Sequence, residues 1–89
     1  MTEHETSYDA IVRTEIAIEI LSQARAIVTA RVYALEETDP AAAEALRQRR
    51  RDLIDVQQRL SVEDRDVVEN IIAVWGPRVQ DETRFWAEF

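Results

Sequence analysis

The stretch from Tyr8 to Glu37, YDAIVRTEIAIEILSQARAIVTARVYALEE, decides the fold of this chain. It contains neither Gly nor Pro. Its apolar residues Ile11, Val12, Ile16, Ala17, Ile20, Leu21, Ala24, Ile27, Val28, Val32 and Leu35 recur at helical spacing. At ~100° per residue they fill an arc wider than the ~100° stripe of an ordinary surface helix. Two seams run within that arc: Ile16, Ile20 and Ile27 form one, and Ala17, Leu21, Ala24, Val28 and Leu35 the other. A helix with two apolar seams needs partners on two sides. One is the next segment of the chain; the other is a later segment or a second copy.

Working outward, Thr38-Asp39-Pro40 reads as a compact turn and restart, with Asp39 as N-cap and Pro40 at the first helical position, where its missing N–H is not needed. A second helix then places Ala42, Leu46, Arg49, Leu53, Val56 and Leu60 inward at 4-3-4-3-4 spacing, so the two helices form an antiparallel hairpin. Ala34, Ala41 to Ala43 and Ala45 allow close approach near the turn. The first helix is ~45 Å long and the second ~30 Å. The second therefore runs out opposite Ile16 or Ala17 and leaves Ile11 and Val12 overhanging.

Ser61-Val62-Glu63-Asp64 approaches a capping box and predicts a third helix carrying Val62, Val67, Val68, Ile71, Ile72 and Trp75, ended by Gly76-Pro77. The last segment is a short amphipathic helix with Val79, Phe85, Trp86 and Phe89. The expectation is an all-α protein: a long antiparallel helical hairpin plus two shorter helices in a small bundle. It has a flexible tail over 1–7 and one domain over 8–89, with helices over 8–37, 40–60, 62–75 and 78–88.

Composition agrees. The 89 residues suit one domain, 46% apolar and 33% charged residues are globular in character, and one Gly with two Pro supplies too few turns for a many-stranded β fold. Without Cys there is no disulfide or thiolate metal site. Residues 1–9 have neither a basic region nor an apolar core, and no apolar run reaches spanning length, so a cytoplasmic protein without membrane contact is expected. The net charge of −7 opposes direct nucleic-acid binding. All eleven basic residues are Arg, which removes Schiff-base and lysine general-base chemistry.

Few residues offer chemistry. His4 is the single histidine and lies in the tail, which excludes a triad or a two-histidine zinc site, so no catalytic residue, metal or cofactor is expected. Arg47, Arg49, Arg50 and Arg51 spread around more than half of their helix and read as a solvated face with local ion pairs. Arg13 and Arg31 project near the centre of the first helix's apolar arc, with Arg49 inward on the second helix. These three are candidates for an anion site, and Arg31 is expected to meet a carboxylate or a backbone carbonyl.

In layout the chain resembles the helical chorismate mutases, which use a long first helix, two shorter ones and inward arginines for a dicarboxylate. Arg13 and Arg31 stand where two of those arginines would. Arg51 with Asp52 stands near the acidic stretch of that family's second helix. The resemblance implies a small helical enzyme, but the family's loop lysine has no counterpart, no Gln near the carboxy terminus fits clearly, and Trp86 and Phe89 are foreign to the pattern. Glu36-x-x-Asp39 and Glu63-x-x-Asp66 resemble fragments of motifs from all-helical Mg²⁺-dependent nucleotide pyrophosphatases, at positions where acids serve as caps.

The strongest interaction signal is apolar. Both Trp and both Phe lie between Trp75 and Phe89, either as core or as interface anchors. The chain therefore reads as a non-enzymatic protein–protein interaction module that forms a homodimer, with Ile11, Val12, Ile16, Ile20, Trp75, Phe85, Trp86 and Phe89 at the interface. The alternative is an acidic inhibitor or nucleic-acid mimic that fills a basic groove of another protein through Glu36, Glu37, Asp39, Glu63, Asp64 and Asp66.

Overall fold

The computed structural model describes residues 3–89, with side chains from Tyr8 onward. It holds four helices and, among the described residues, no strand: α1 (Glu3–Leu35), α2 (Pro40–Arg59), α3 (Arg65–Val79) and α4 (Glu82–Glu88). Met1 and Thr2 of the expected tail lie outside the described residues, and the helix takes in the backbone from Glu3. A helix of 33 residues is ~50 Å long, so α1 sets the long dimension of a molecule 56 × 23 × 15 Å in extent.

The hairpin turn falls where the cap and proline place it. The Asp39 N–H donates to the Leu35 carbonyl at 2.8 Å, and the Asp39 carboxylate accepts from the Ala42 N–H at 3.1 Å. From there α2 packs along one flank of α1, α3 packs along another, and α4 packs back on α3. The core joins Ala17, Leu21, Ala24, Val28 and Val32 of α1 to Ala43 and Leu53 of α2, Val68 and Ile71 of α3 and Phe85 of α4. The second seam of α1 is thus buried from Ala17 to Val28, with Leu35 partly buried. The first seam lies at its edge, where Ile20 and Ile27 are partly buried and Ile16 is exposed.

Three expectations are corrected. Helix α3 starts at Arg65 rather than at 62, because Ser61 to Asp64 spend their polar groups on a turn. There the Ser61 N–H donates to the Asp64 carboxylate, and the Glu63 N–H donates to the Ser61 hydroxyl. Helix α3 also continues through Gly76-Pro77 to Val79. An interior proline costs ~3 kcal/mol, which burial of Trp75 and Val79 against the core offsets, while the exposed Pro77 ring faces away. At Gly76 a Cβ would stand 3.6 Å from Ile20 Cδ1, so α1 passes close by at this point. Finally, Val56, Val62 and Val67 are exposed rather than inward. Helix α2 packs chiefly on α1, and the late start of α3 leaves Val62 in the turn.

The aromatic residues close the bundle. Phe85 is fully buried and stacks on Phe89 with centroids 5.0 Å apart, while Trp86 and Trp75 meet it edge-on at 5.1 and 6.1 Å. Helix α4 is only seven residues long, too short to hold its shape without these contacts. Truncating Phe85→Ala should therefore cost ~3–5 kcal/mol in urea unfolding, against ~1 kcal/mol for Asp39→Ala at the α2 cap. Equal, small losses would mean that α4 does not anchor the bundle.

Candidate interaction face

Two flanks of α1 are covered by its own chain and the third is open. Tyr8, Ile11, Glu15, Ile16, Glu19, Gln23, Ala26, Ala30 and Tyr33 on this outer side are all exposed. Tyr8 and Tyr33 are 68% and 69% exposed, so both rings stand largely in solvent. The side carries two shallow grooves. One, of about 420 Å³, runs between α1 and the end of α3, with Val12, Ile16, Ile20, Gly76 and Val79 apolar and Glu15, Glu19, Gln23 and Gln80 polar. The other, of about 600 Å³, is lined entirely by α1: Ser22, Arg25, Ala26, Thr29, Ala30 and Tyr33.

The polar groups beside the second groove form one network. Arg25 Nη1 donates to Gln57 Oε1 at 2.7 Å, and Gln57 Nε2 donates to the Ile18 carbonyl at 3.0 Å and the Ser22 hydroxyl at 2.8 Å. Arg50 Nη1 donates to the Thr29 hydroxyl at 3.0 Å. Neither arginine has a carboxylate partner among the described residues, and the buried Arg25 Nε has no acceptor. Glu15 and Glu19, farther along the same face, likewise form no ion pair among the described residues. Gln57 and Arg25 carry no signal in the sequence, because a polar network across a hairpin leaves no periodic signature, and Arg50, expected on a solvated face, is half-buried against Thr29.

The remaining candidates are placed apart. Arg13 forms a two-pronged ion pair with Glu69 of α3 at 2.6 and 3.0 Å. Arg31 lies 3.9 Å over the Trp86 ring and Arg49 lies 3.8 Å over Phe89, both exposed. The expected carboxylate or carbonyl contact of Arg31 is absent among the described residues, because α4 brings an indole face under the guanidinium instead. The three arginines therefore do not converge on one anion site, and the shared guanidinium pocket that the resemblance to chorismate mutases implied is not formed by them.

Of the proposed interface residues, Ile11, Val12, Ile16 and Ile20 gather on the open side of α1. Trp75, Phe85, Trp86 and Phe89 gather in the intramolecular aromatic cluster, with Phe85 wholly buried. The acids divide into two groups. Glu36 pairs with Arg47 at 3.0 Å beside Glu37 and the capping Asp39, while Glu63, Asp64 and Asp66 lie at the α2–α3 turn. The length of α2, ~30 Å, separates the groups. Among the described residues no three acidic or histidine side chains gather into a metal-binding cluster, and no helix is long and apolar enough to cross a membrane. Comparison with protein-family models, curated proteins and solved structures finds no match for the chain.

The Arg13–Glu69 pair ties α1 to α3 and makes stability depend on pH. The Arg13 guanidinium, by hydrogen bond and charge, holds the Glu69 carboxyl below its ordinary value of 4.5. A depressed carboxyl pKa contributes stability above the unfolded value that is lost as pH falls through the folded value. Urea midpoints between pH 6 and 3 should accordingly fall more steeply for the native chain than for Glu69→Gln. Parallel curves would mean that the pair adds nothing.

Proposed function

We propose that this chain is a homodimeric protein–protein interaction module in which a second copy covers the open side of α1. The observation that carries the reading is that side itself, from Tyr8 to Tyr33. Over about seven turns it holds Tyr8, Ile11, Ile16 and Tyr33 exposed among small and polar residues, with two carboxylates, Glu15 and Glu19, that have no ion-pair partner among the described residues. Large apolar side chains held in solvent along one helix face and rimmed by polar ones are the ordinary mark of an interaction surface.

The dimensions favour a modest interface. A helix face ~40 Å long and ~12 Å wide offers roughly 500 Å² per copy, which brings the total close to the ~1,000 Å² lower bound for specific association. Two-fold symmetry needs only one self-complementary patch. The aromatic cluster of α3 and α4 supports the reading indirectly: it stiffens the bundle and keeps α3 in place as the wall of the first groove.

Light scattering across micromolar concentrations should report a mass about twice the 10.3 kDa of one chain, declining toward the monomer on dilution. A mass of one chain at every concentration would remove the proposal.

A further inference from the structure

We infer that the two copies pack α1 against α1 antiparallel, about a two-fold axis between Ile20 and Leu21, and that Glu15 of each copy pairs with the partner's Arg25. This rests on the homodimer proposed above and adds its register and its specificity-determining pair.

The register follows from spacing and charge. Tyr8, Val12, Glu15, Glu19, Ser22, Ala26, Thr29 and Tyr33 stand at 4-3-4-3-4-3-4 intervals along the open side, the spacing of a two-helix seam. In a parallel pair Glu15 would face Glu15 and Glu19 would face Glu19, with like charges in successive layers. The antiparallel pair that uses all eight positions opposes Tyr8 to Tyr33, Val12 to Thr29, Glu15 to Ala26 and Glu19 to Ser22. No like charges stand directly opposite and a small residue faces each carboxylate, while Glu19 and the partner's Glu19 come nearest, in the two layers that flank the axis. Sliding one heptad in one direction brings Glu15 onto Glu19; sliding in the other leaves Tyr8 and Val12 without partners.

The charges left over within the monomer are complementary in this register. Arg25 adjoins Ala26 on the flank of the seam, so a carboxylate crossing the Ala26 methyl reaches its guanidinium. Among the described residues that guanidinium bonds only the neutral Gln57 oxygen, and its Nε has no acceptor. Arg50, held by Thr29 one turn farther on, adds positive potential on the same flank. Glu19 faces Ser22, whose hydroxyl accepts from Gln57 and keeps its own hydrogen to donate. The acidic half of each helix thus meets the basic half of the other, and the net charge of −7 does not oppose the contact locally.

Charge exchange tests this. Glu15→Arg and Arg25→Glu, each alone, should weaken self-association at least ~tenfold by placing like charges together. An equimolar mixture of the two variants should recover the dimer mass, because each then supplies the charge the other lacks. Glu15 makes no hydrogen bond or ion pair within the described chain, and circular dichroism of Glu15→Arg should match the native spectrum. If the native chain dimerises and neither variant weakens it, or the mixture fails to associate, this register is overturned while the homodimer stands. A monomeric native chain overturns both.

Discussion

The structure depends on the burial of one side of a 33-residue helix that has apolar residues nearly all round. Ala17, Leu21, Ala24, Val28 and Val32 form a strip of small and medium side chains on which α2 and α3 both settle, and small residues let both approach closely. Because α2 and α3 lie on two flanks of the same helix and have little direct contact with each other, α1 is the spine of the molecule. The consequence is geometric. Two neighbours close two flanks of a cylinder, and the third stays open unless another chain closes it.

The far end of the bundle solves a different problem. Helix α4 is too short to be stable alone, and it is held by side chains rather than by extensive backbone proximity. Phe85 plugs the core, Phe89 and Trp86 pack about it, and Arg31 and Arg49 lie across the outer ring faces from α1 and α2. Guanidinium groups stacked on exposed aromatic faces shield apolar area while keeping their charge in water. Two arginines that look inward on a helical wheel thus cover the aromatic rings at the carboxy-terminal end.

Much of the architecture was legible in the sequence because its signals are local. The Asp39-Pro40 start, the seam of α1 and the aromatic tail depend on neighbours within a turn or two. What stayed hidden depends on contacts across the fold. Helix α3 runs past Gly76-Pro77 because Trp75 and Val79 are worth burying, which a breaker rule cannot register. Arg13 finds Glu69, fifty-six residues away, and Gln57 links Arg25 to Ser22 across the hairpin, with no spacing to announce either. The open side of α1 could be read only in part. Ile11 and Val12 stand out as overhanging apolar residues, whereas Ser22, Ala26 and Ala30 look unremarkable until the neighbours of α1 are known.

The central claim is that this open side is closed by a second copy lying antiparallel, and a distance measures it most directly. The chain has no cysteine, so a single spin label at Ala34→Cys, beyond the seam's last layer, reports without interference. In the antiparallel register each label lies ~20 Å along the helix from the two-fold axis, so pulsed electron resonance should give a distance of ~40 Å. A distance of ~10–20 Å would indicate parallel helices, and the absence of any dipolar coupling at concentrations of tens of micromolar or more would contradict the account.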